Sequence, residues 1–225
     1  MDSNKVICFD IGGTFVKYGV LDYEGNILSK DSFKSNTDNG QEILDNMCEV
    51  IKKYINLYKI EGISISSPGF VDVENGVITA GTIINGFIGL NMKEYFGNKF
   101  GLPVEIENDA NCATIAEHKL GNGKGCKNLV CVTIGTGIGG GIIINNDIYH
   151  GSKFMAGEFG FMFINGTKRE NPDHYIYSNY ASTRALVEKA RERLNEEIDG
   201  KELFERAKSG NLACKEILDE FFDNL

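Results

Sequence analysis

The chain has 225 residues, 42% of them hydrophobic, which is enough apolar material for one large domain or two small ones. A formal charge of −9 argues against a nucleic-acid partner, because phosphate backbones are gripped by clustered Lys and Arg. No apolar run approaches the length that spans a bilayer, and the opening MDSNKVICFD lacks the apolar stretch of a signal peptide, so no membrane contact and a cytoplasmic location are expected.

In chain order, KVICFDIGGTFVKYGVL (5–21) reads as strand, glycine turn and strand, and DYEGN then turns the chain into a third strand, a β-meander. Residues 41–59 place Ile43, Leu44, Met47, Val50, Ile51, Tyr54, Ile55 and Tyr58 on one helical face, most simply a core contact. GISISSPGFVDVENGVITAG gives a short buried strand, a Pro-Gly loop and a small hairpin. LNMKEYFGNKF suggests a short helix stopped by Gly101, and LPVEIE another strand.

The pattern then starts again. NLVCVTIGTGIGGGIIINNDIYHG repeats the first segment's order of apolar strand, glycine loop, apolar strand and polar turn. Internal duplication of this kind points to two similar lobes with a cleft between them. From Asn179 on the chain reads as helical, with a turn at Asp199-Gly200, and Ile217, Leu218, Phe221, Phe222 and Leu225 continue one apolar face to the final residue. No cap ends that helix in the sequence, so the C-terminal part is expected to be missing.

Residues 135–141, GTGIGGG, put five glycines into seven positions inside what otherwise reads as a sheet. Glycine there costs chain entropy and packs nothing, so it must serve a turn, a bulge or a close approach. A hairpin turn is one explanation and a backbone cradle for phosphate is another. The formal GxGxxG match at Gly135–Gly140 invites a dinucleotide-binding turn, but that motif needs a helix directly after the glycines, and here GIIINNDIY follows. The six cysteines include no pair with only two residues between, and His118, His150 and His174 are scattered, so no zinc site is expected and reduced thiols are the default.

FDIGGTFVKYGVLD, ENDANCATIAEHKLG, VTIGTGIGGGII and AGEFG together resemble the ROK family of sugar kinases, from residue 5 to about residue 195 and with every motif in order. The resemblance implies an α/β, two-lobed actin-like ATPase (ribonuclease H-like) fold, each lobe a mixed sheet with helices. It divides the chain into a small N-terminal lobe, 1–109, and a larger, incomplete C-terminal lobe, 110–225. It also implies transfer of the γ-phosphoryl group of ATP, as its Mg2+ complex, to a sugar hydroxyl, and it is compatible with a homodimer. Some relatives are sugar-binding regulators that catalyse nothing, which is the alternative function.

Phosphoryl transfer asks mainly for positioning, charge neutralisation and a residue that takes the nucleophile's proton. Asp10, with Gly12, Gly13 and Thr14, forms a turn able to approach phosphate, and its carboxylate can hold magnesium through water. Lys17 can reach phosphate or stand as a solvated strand residue. Thr133, Gly135, Thr136, Gly137, Gly139 and Gly140 form the second phosphate hairpin. Asp109 is the candidate general base, against a helix N-cap as the plain alternative, and a helix N-terminus there should favour its ionised form. The resemblance makes Asn108 and Glu158 sugar ligands, and Gly69 and Asn91 candidates for lining the same pocket.

Two departures stand out. Phe161 replaces the His that many family members carry after GEFG, and INGTKRENPDHYIYSNYAS lacks their cysteine-rich zinc loop, with Ser178 where a sugar-binding Glu would fall. A site without those groups loses discrimination at the hydroxyls they would read, so a substituted sugar such as a β-glucoside or an N-acylated hexosamine is expected. Family members also continue into a further nucleotide-contacting loop.

Overall fold

A computed structural model describes residues 4–164 and 175–225. They divide into two compact units, one comprising Met1–Cys112 with His150–Met155 and the other Ala113–Tyr149 with Ala156–Leu225.

The first unit is built on a five-stranded sheet in the order β3-β2-β1-β4-β7. β1 (Lys5–Ile11), β2 (Phe15–Asp22) and β3 (Ile27–Lys34) form the antiparallel meander, while β4 (Ile60–Ser67) pairs in parallel with β1 and β7 (Val104–Asn108) in parallel with β4. Alternation along β1 turns Ile7, Phe9 and Ile11 into the core and leaves Cys8 and Asp10 on the opposite face. A small hairpin, β5 (Phe70–Asp72) and β6 (Val77–Ala80), follows β4.

Helix α1 (Gly40–Ile55) buries Ile43, Leu44, Met47, Cys48, Ile51 and Tyr54, close to the expected stripe. It ends four residues short of the expected 59, where the Tyr54 carbonyl gathers the N–H groups of both Leu57 and Tyr58. Ile55, expected on the stripe, is exposed, and Tyr58 stacks on Tyr54. Helix α2 (Met92–Phe100) opens on the Asn91 side chain, which accepts from the Glu94 N–H at 2.9 Å, and closes on Gly101 in the left-handed region at φ 65°.

In the second unit β8 (Leu129–Ile134), β9 (Ile138–Ile144) and β10 (Asp147–Ile148) form an antiparallel sheet in the order β10-β9-β8. This repeats the β3-β2-β1 meander, with each leading strand joined to the next by a glycine loop. Helix α3 (Asp109–Lys119) precedes the sheet, and α4 (Ser178–Ala181), α5 (Thr183–Leu194), α6 (Gly200–Lys208) and α7 (Leu212–Asp223) follow it. Leu186, Ala190, Leu203, Cys214, Ile217 and Phe221 form the helical core. Ser182 splits what reads as one helix, because its side chain caps α5 through the Ala185 N–H at 3.1 Å.

The final helix buries the expected apolar face through Ile217, Leu218 and Phe221, but that face does not run on to the last residue. α7 stops at Asp223, where Asn224 turns its N–H to the Phe221 carbonyl and its Nδ2 to the Glu220 carbonyl, and Phe222 and Leu225 are exposed. No described helix is long and apolar enough to cross a membrane. Phe96, fully buried on α2 and edge-to-face with Tyr95, is a central contact of the first core. Phe96→Ala is expected to cost about 3–5 kcal/mol, read as a lower urea midpoint at unchanged slope.

Candidate functional site

Strand register in the first unit sets up a row of polar side chains near the carboxyl ends of the parallel strands. Lys17 pairs with Asp10 across β2 and β1, Asp10 with Ser66 across β1 and β4, and Ser66 with Glu107 across β4 and β7. Carboxyl ends of parallel strands are where open α/β sheets place ligands. Asp10 takes a contact from Lys17 Nζ at 3.3 Å and a hydrogen bond from Ser66 Oγ at 3.1 Å. Lys17 is largely exposed, so its ion pair contributes little to stability and leaves the ammonium mobile.

The chain passes from β7 straight into α3, and Asn108 makes the junction. Its Oδ1 accepts from the N–H groups of Ala110 and Asn111, while its Nδ2 donates to the Gly69 carbonyl at 3.0 Å and to Asp109 Oδ1 at 3.1 Å. The N-cap alternative raised for Asp109 therefore falls to Asn108, and Asp109 follows as the first helical residue. The expectation that the helix N-terminus would favour the ionised form of Asp109 is reversed. Although its side chain is open to solvent on one side, the protein crowding it desolvates the carboxylate and raises its pKa; the Ala110 N–H opposes this, and the charge of Asp10 adds to the rise.

Gly69 has φ +107°, and a Cβ there would sit 2.6 Å from the Ala80 carbonyl oxygen, so glycine is needed to present the carbonyl that Asn108 uses. Gly12 spends its N–H on the Phe15 carbonyl at 3.0 Å and closes the first loop, from which Gly13 and Thr14 are exposed. Asn91 is accounted for as the α2 cap. A cavity of about 740 Å³ lies on the sheet face between Asp10, Lys17, Phe15, Leu21, Ile27 and Cys112, with a mainly apolar wall that suits neither phosphate nor sugar. Burial pushes the Cys8 thiol up to about 11 and the Cys112 thiol up to about 12, the latter helped by the charge of Glu107.

In the second unit the glycines divide into two kinds. Gly135, Thr136 and Gly137 form the exposed hairpin tip, closed by the Gly135 N–H on the Gly137 carbonyl, while Thr133 lies within β8 as a half-buried residue. Gly140, within β9, meets packing: a Cβ there would lie 2.5 Å from both the Cys131 carbonyl oxygen and the Phe159 ring. Gly157, at φ +87°, brings its backbone against Gly140 and Gly141, so the flat glycine surface of β9 receives the loop that carries Glu158. Glu158 is half-buried and precedes a 3-10 turn, Phe159–Phe161.

Ser178 does not lie idle where the family Glu would be. Its hydroxyl accepts from the Ile138 N–H at 2.9 Å and fills the space above Gly160, so it staples the second hairpin to the GEFG loop. The Thr183 N–H holds the Gly135 carbonyl at 2.8 Å from the other side. The stretch in which a zinc loop would fall is mostly residues 165–174, which lie outside the described residues, as does His174.

Sequence reasoning named Asp10, Lys17, Asn108 and Asp109, which the first unit brings to one sheet edge. It missed Ser66, the Ser178 staple and His150, whose Nε2 stands 2.6 Å from Glu107 Oε2. A pair separated by 43 residues leaves no local pattern, whereas the Ser66 position could have been found from the parallel strand alignment.

Ser178→Ala leaves the Ile138 N–H without its acceptor. It should destabilise the protein by about 1–3 kcal/mol in thermal denaturation and speed exchange of the Ile138 amide. For Asp109 the sign follows from linkage: the folded chain holds this proton more tightly than the unfolded chain, whose carboxyl has the ordinary value of 3.8. Stability is thus lost as pH rises from that value through the raised one. Asp109→Asn should be more stable than wild type at neutral pH and no more stable in acid below both values, in paired melts across pH.

Residues 6–225 match the ROK family. A β-glucoside kinase of Listeria monocytogenes is 37% identical over 224 residues, spanning 98% of this chain and 75% of that protein. Among solved structures, a Listeria monocytogenes protein provisionally assigned as an N-acetylmannosamine kinase superposes with a TM-score of 0.90 at 36% identity, covering 98% of this chain and 76% of its own. A ROK family glucokinase from Streptomyces griseus, in complex with glucose and AMPPNP, gives a TM-score of 0.80 at 30% identity over 96% and 75% of the two chains. The architecture is accordingly the α/β actin-like ATPase fold of those structures. Matched along nearly its whole length, the chain belongs to the ROK family.

Proposed function

We propose that this chain is an ATP-dependent sugar kinase that moves the γ-phosphoryl group of ATP to the 6-hydroxyl of a hexose, with β-glucosides and N-acylhexosamines as its substrate class. The observation that carries the reading is the Asp109 carboxylate, fixed by Asn108 at the head of α3 and near enough to Asp10 to feel its charge. One carboxylate is thereby poised to take a proton and the other to meet a cation. Similarity to a β-glucoside kinase across 98% of the chain supports the same chemistry.

In the proposed reaction the sugar hydroxyl donates its proton to Asp109 as its oxygen forms the new bond to the γ-phosphorus. The bond from that phosphorus to the β–γ bridging oxygen breaks, and ADP leaves with the electron pair. A carboxyl pKa raised by desolvation makes the Asp109 carboxylate a better proton acceptor than an ordinary aspartate. Asn108 reaches the sugar by exchanging one of its Nδ2 bonds for a sugar oxygen, and Glu158 holds further hydroxyls. Gly69 and Asn91 border the same pocket.

The loops at Gly12–Thr14 and Thr133–Gly140 take the phosphates, with Lys17 free to swing toward them. Asp10, with the Ser66 hydroxyl beside it, would hold magnesium through water. Bound there, Mg2+ supplies charge neutralisation on the triphosphate. Phe161, Met162 and Phe163 give an exposed apolar surface three residues beyond Glu158, suited to a substituent rather than to bare hydroxyls. Use of ATP fits a cytoplasmic enzyme, and a homodimer is the assembly that the family resemblance favours.

The test is ADP release with magnesium-ATP across glucose, cellobiose, methyl β-glucoside and N-acetylmannosamine, beside Asp109→Asn. A substituted sugar should exceed glucose by about tenfold or more in kcat/KM, and Asp109→Asn should abolish turnover. The wild-type rate should fall as pH drops through a carboxyl pKa above the ordinary aspartate value. Glucose turned over as well as every substituted sugar would defeat the substrate class, and sugar-dependent turnover surviving in Asp109→Asn would defeat the assignment of the base.

A further inference from the structure

His150–Met155 belongs to the first unit although the residues on either side of it belong to the second. The segment is a turn with one unfavourable backbone position: Phe154, a bulky residue, has φ 56°. Such a conformation persists only where surrounding contacts hold it. Here the Phe154 ring meets the His150 ring edge-on with centroids 6.1 Å apart, and His150 Nε2 reaches Glu107 Oε2 at 2.6 Å. Both partners of that bond are largely buried.

Glu107 spends its other oxygen on the head of α3. Its Oε1 accepts from the Asn108 backbone N–H at 2.8 Å and from Asn111 Nδ2 at 3.0 Å. Asn111 is itself buried, and its Oδ1 has no hydrogen-bond partner, so the Glu107 contact is what anchors this side chain. A carboxylate that takes three donors through two oxygens is rotationally fixed, and what it fixes is the backbone of Asn108, the residue that both caps α3 and holds Asp109.

Resting on the kinase reading above, we propose that His150 is a positioning residue for phosphoryl transfer. It locks the rotamer of Glu107, Glu107 locks Asn108 and Asn111, and the aim of the Asp109 carboxylate follows. His150 touches no reacting atom; it acts through three residues in series. This extends the polar row of Lys17, Asp10, Ser66 and Glu107 by a fifth member that arrives from a distant part of the chain.

The experiment compares His150→Leu with His150→Gln, whose side-chain amide can still donate to Glu107. His150→Leu should lower kcat by about tenfold to a hundredfold while KM for ATP holds, the signature of a misaimed group rather than a lost binding contact. His150→Gln should recover most of the rate. In parallel, the Asn108 amide proton, read by NMR, should exchange faster in His150→Leu and return toward wild type in His150→Gln. If His150→Leu fails to melt cooperatively, His150→Asn, which keeps polarity but shortens the reach, replaces it.

Wild-type kcat in the Leu variant, or equal impairment of the Leu and Gln variants, overturns the proposal. So does an Asn108 amide that is indifferent to residue 150. Should the wild type release no ADP with any sugar, the kinase reading alone fails, and the amide measurement still decides whether His150 orders the head of α3.

Discussion

Parallel pairing of β1, β4 and β7 is the constraint on which the first unit's site depends. In that ladder Asp10, Ser66 and Glu107 are direct neighbours, and β2 adds Lys17 opposite Asp10. A slip of one residue in any strand would carry its polar member to the core face, where Ile7, Phe9, Ile63 and Ile65 pack, and put an apolar side chain in its place. Burial of those residues therefore fixes the order of the charges. Hydrophobic packing on one side of the sheet and electrostatic arrangement on the other are set by the same register.

The second unit uses backbone proximity where the first uses side-chain pairing. Gly140 and Gly157 give up conformational freedom so that a strand and a loop can touch main chain to main chain, with the Phe159 ring lying over the bare surface. Part of the glycine excess in GTGIGGG is thus architectural. Only the tip at Gly135 and Gly137 is exposed, and Ser178 and Thr183 hold it from the following helices. The Ser178 hydroxyl on the Ile138 N–H and the Thr183 N–H on the Gly135 carbonyl hold this glycine backbone still from outside the loop.

Much of this was legible in the sequence because it is written in local patterns. Strand alternation gave β1 and β2, the apolar stripe gave α1, and Gly101 gave the end of α2. Asp10, Asn108 and Asp109 were found because strand ends and helix starts have recognisable residues. Details that failed depend on competition between near-equal local options. The Tyr54 carbonyl accepts from both Leu57 and Tyr58, and the helix closes there instead of running on to residue 59. The cap role weighed for Asp109 went to its neighbour Asn108, and Asp109 is desolvated rather than stabilised as an anion. His150 was invisible for a different reason: its partner lies 43 residues away, and only the assembled chain brings the two side chains together.

The thiols beside the polar row have a consequence of their own. Burial pushes the Cys8 thiol up to about 11 and the Cys112 thiol up to about 12, which keeps both in the protonated form at neutral pH. Peroxides and electrophiles attack the thiolate, so these two sulfurs are chemically quiet despite lining a cavity next to Asp10. The chain can therefore keep soft, polarisable packing groups beside its row of polar side chains without making that face of the sheet a point of oxidative damage.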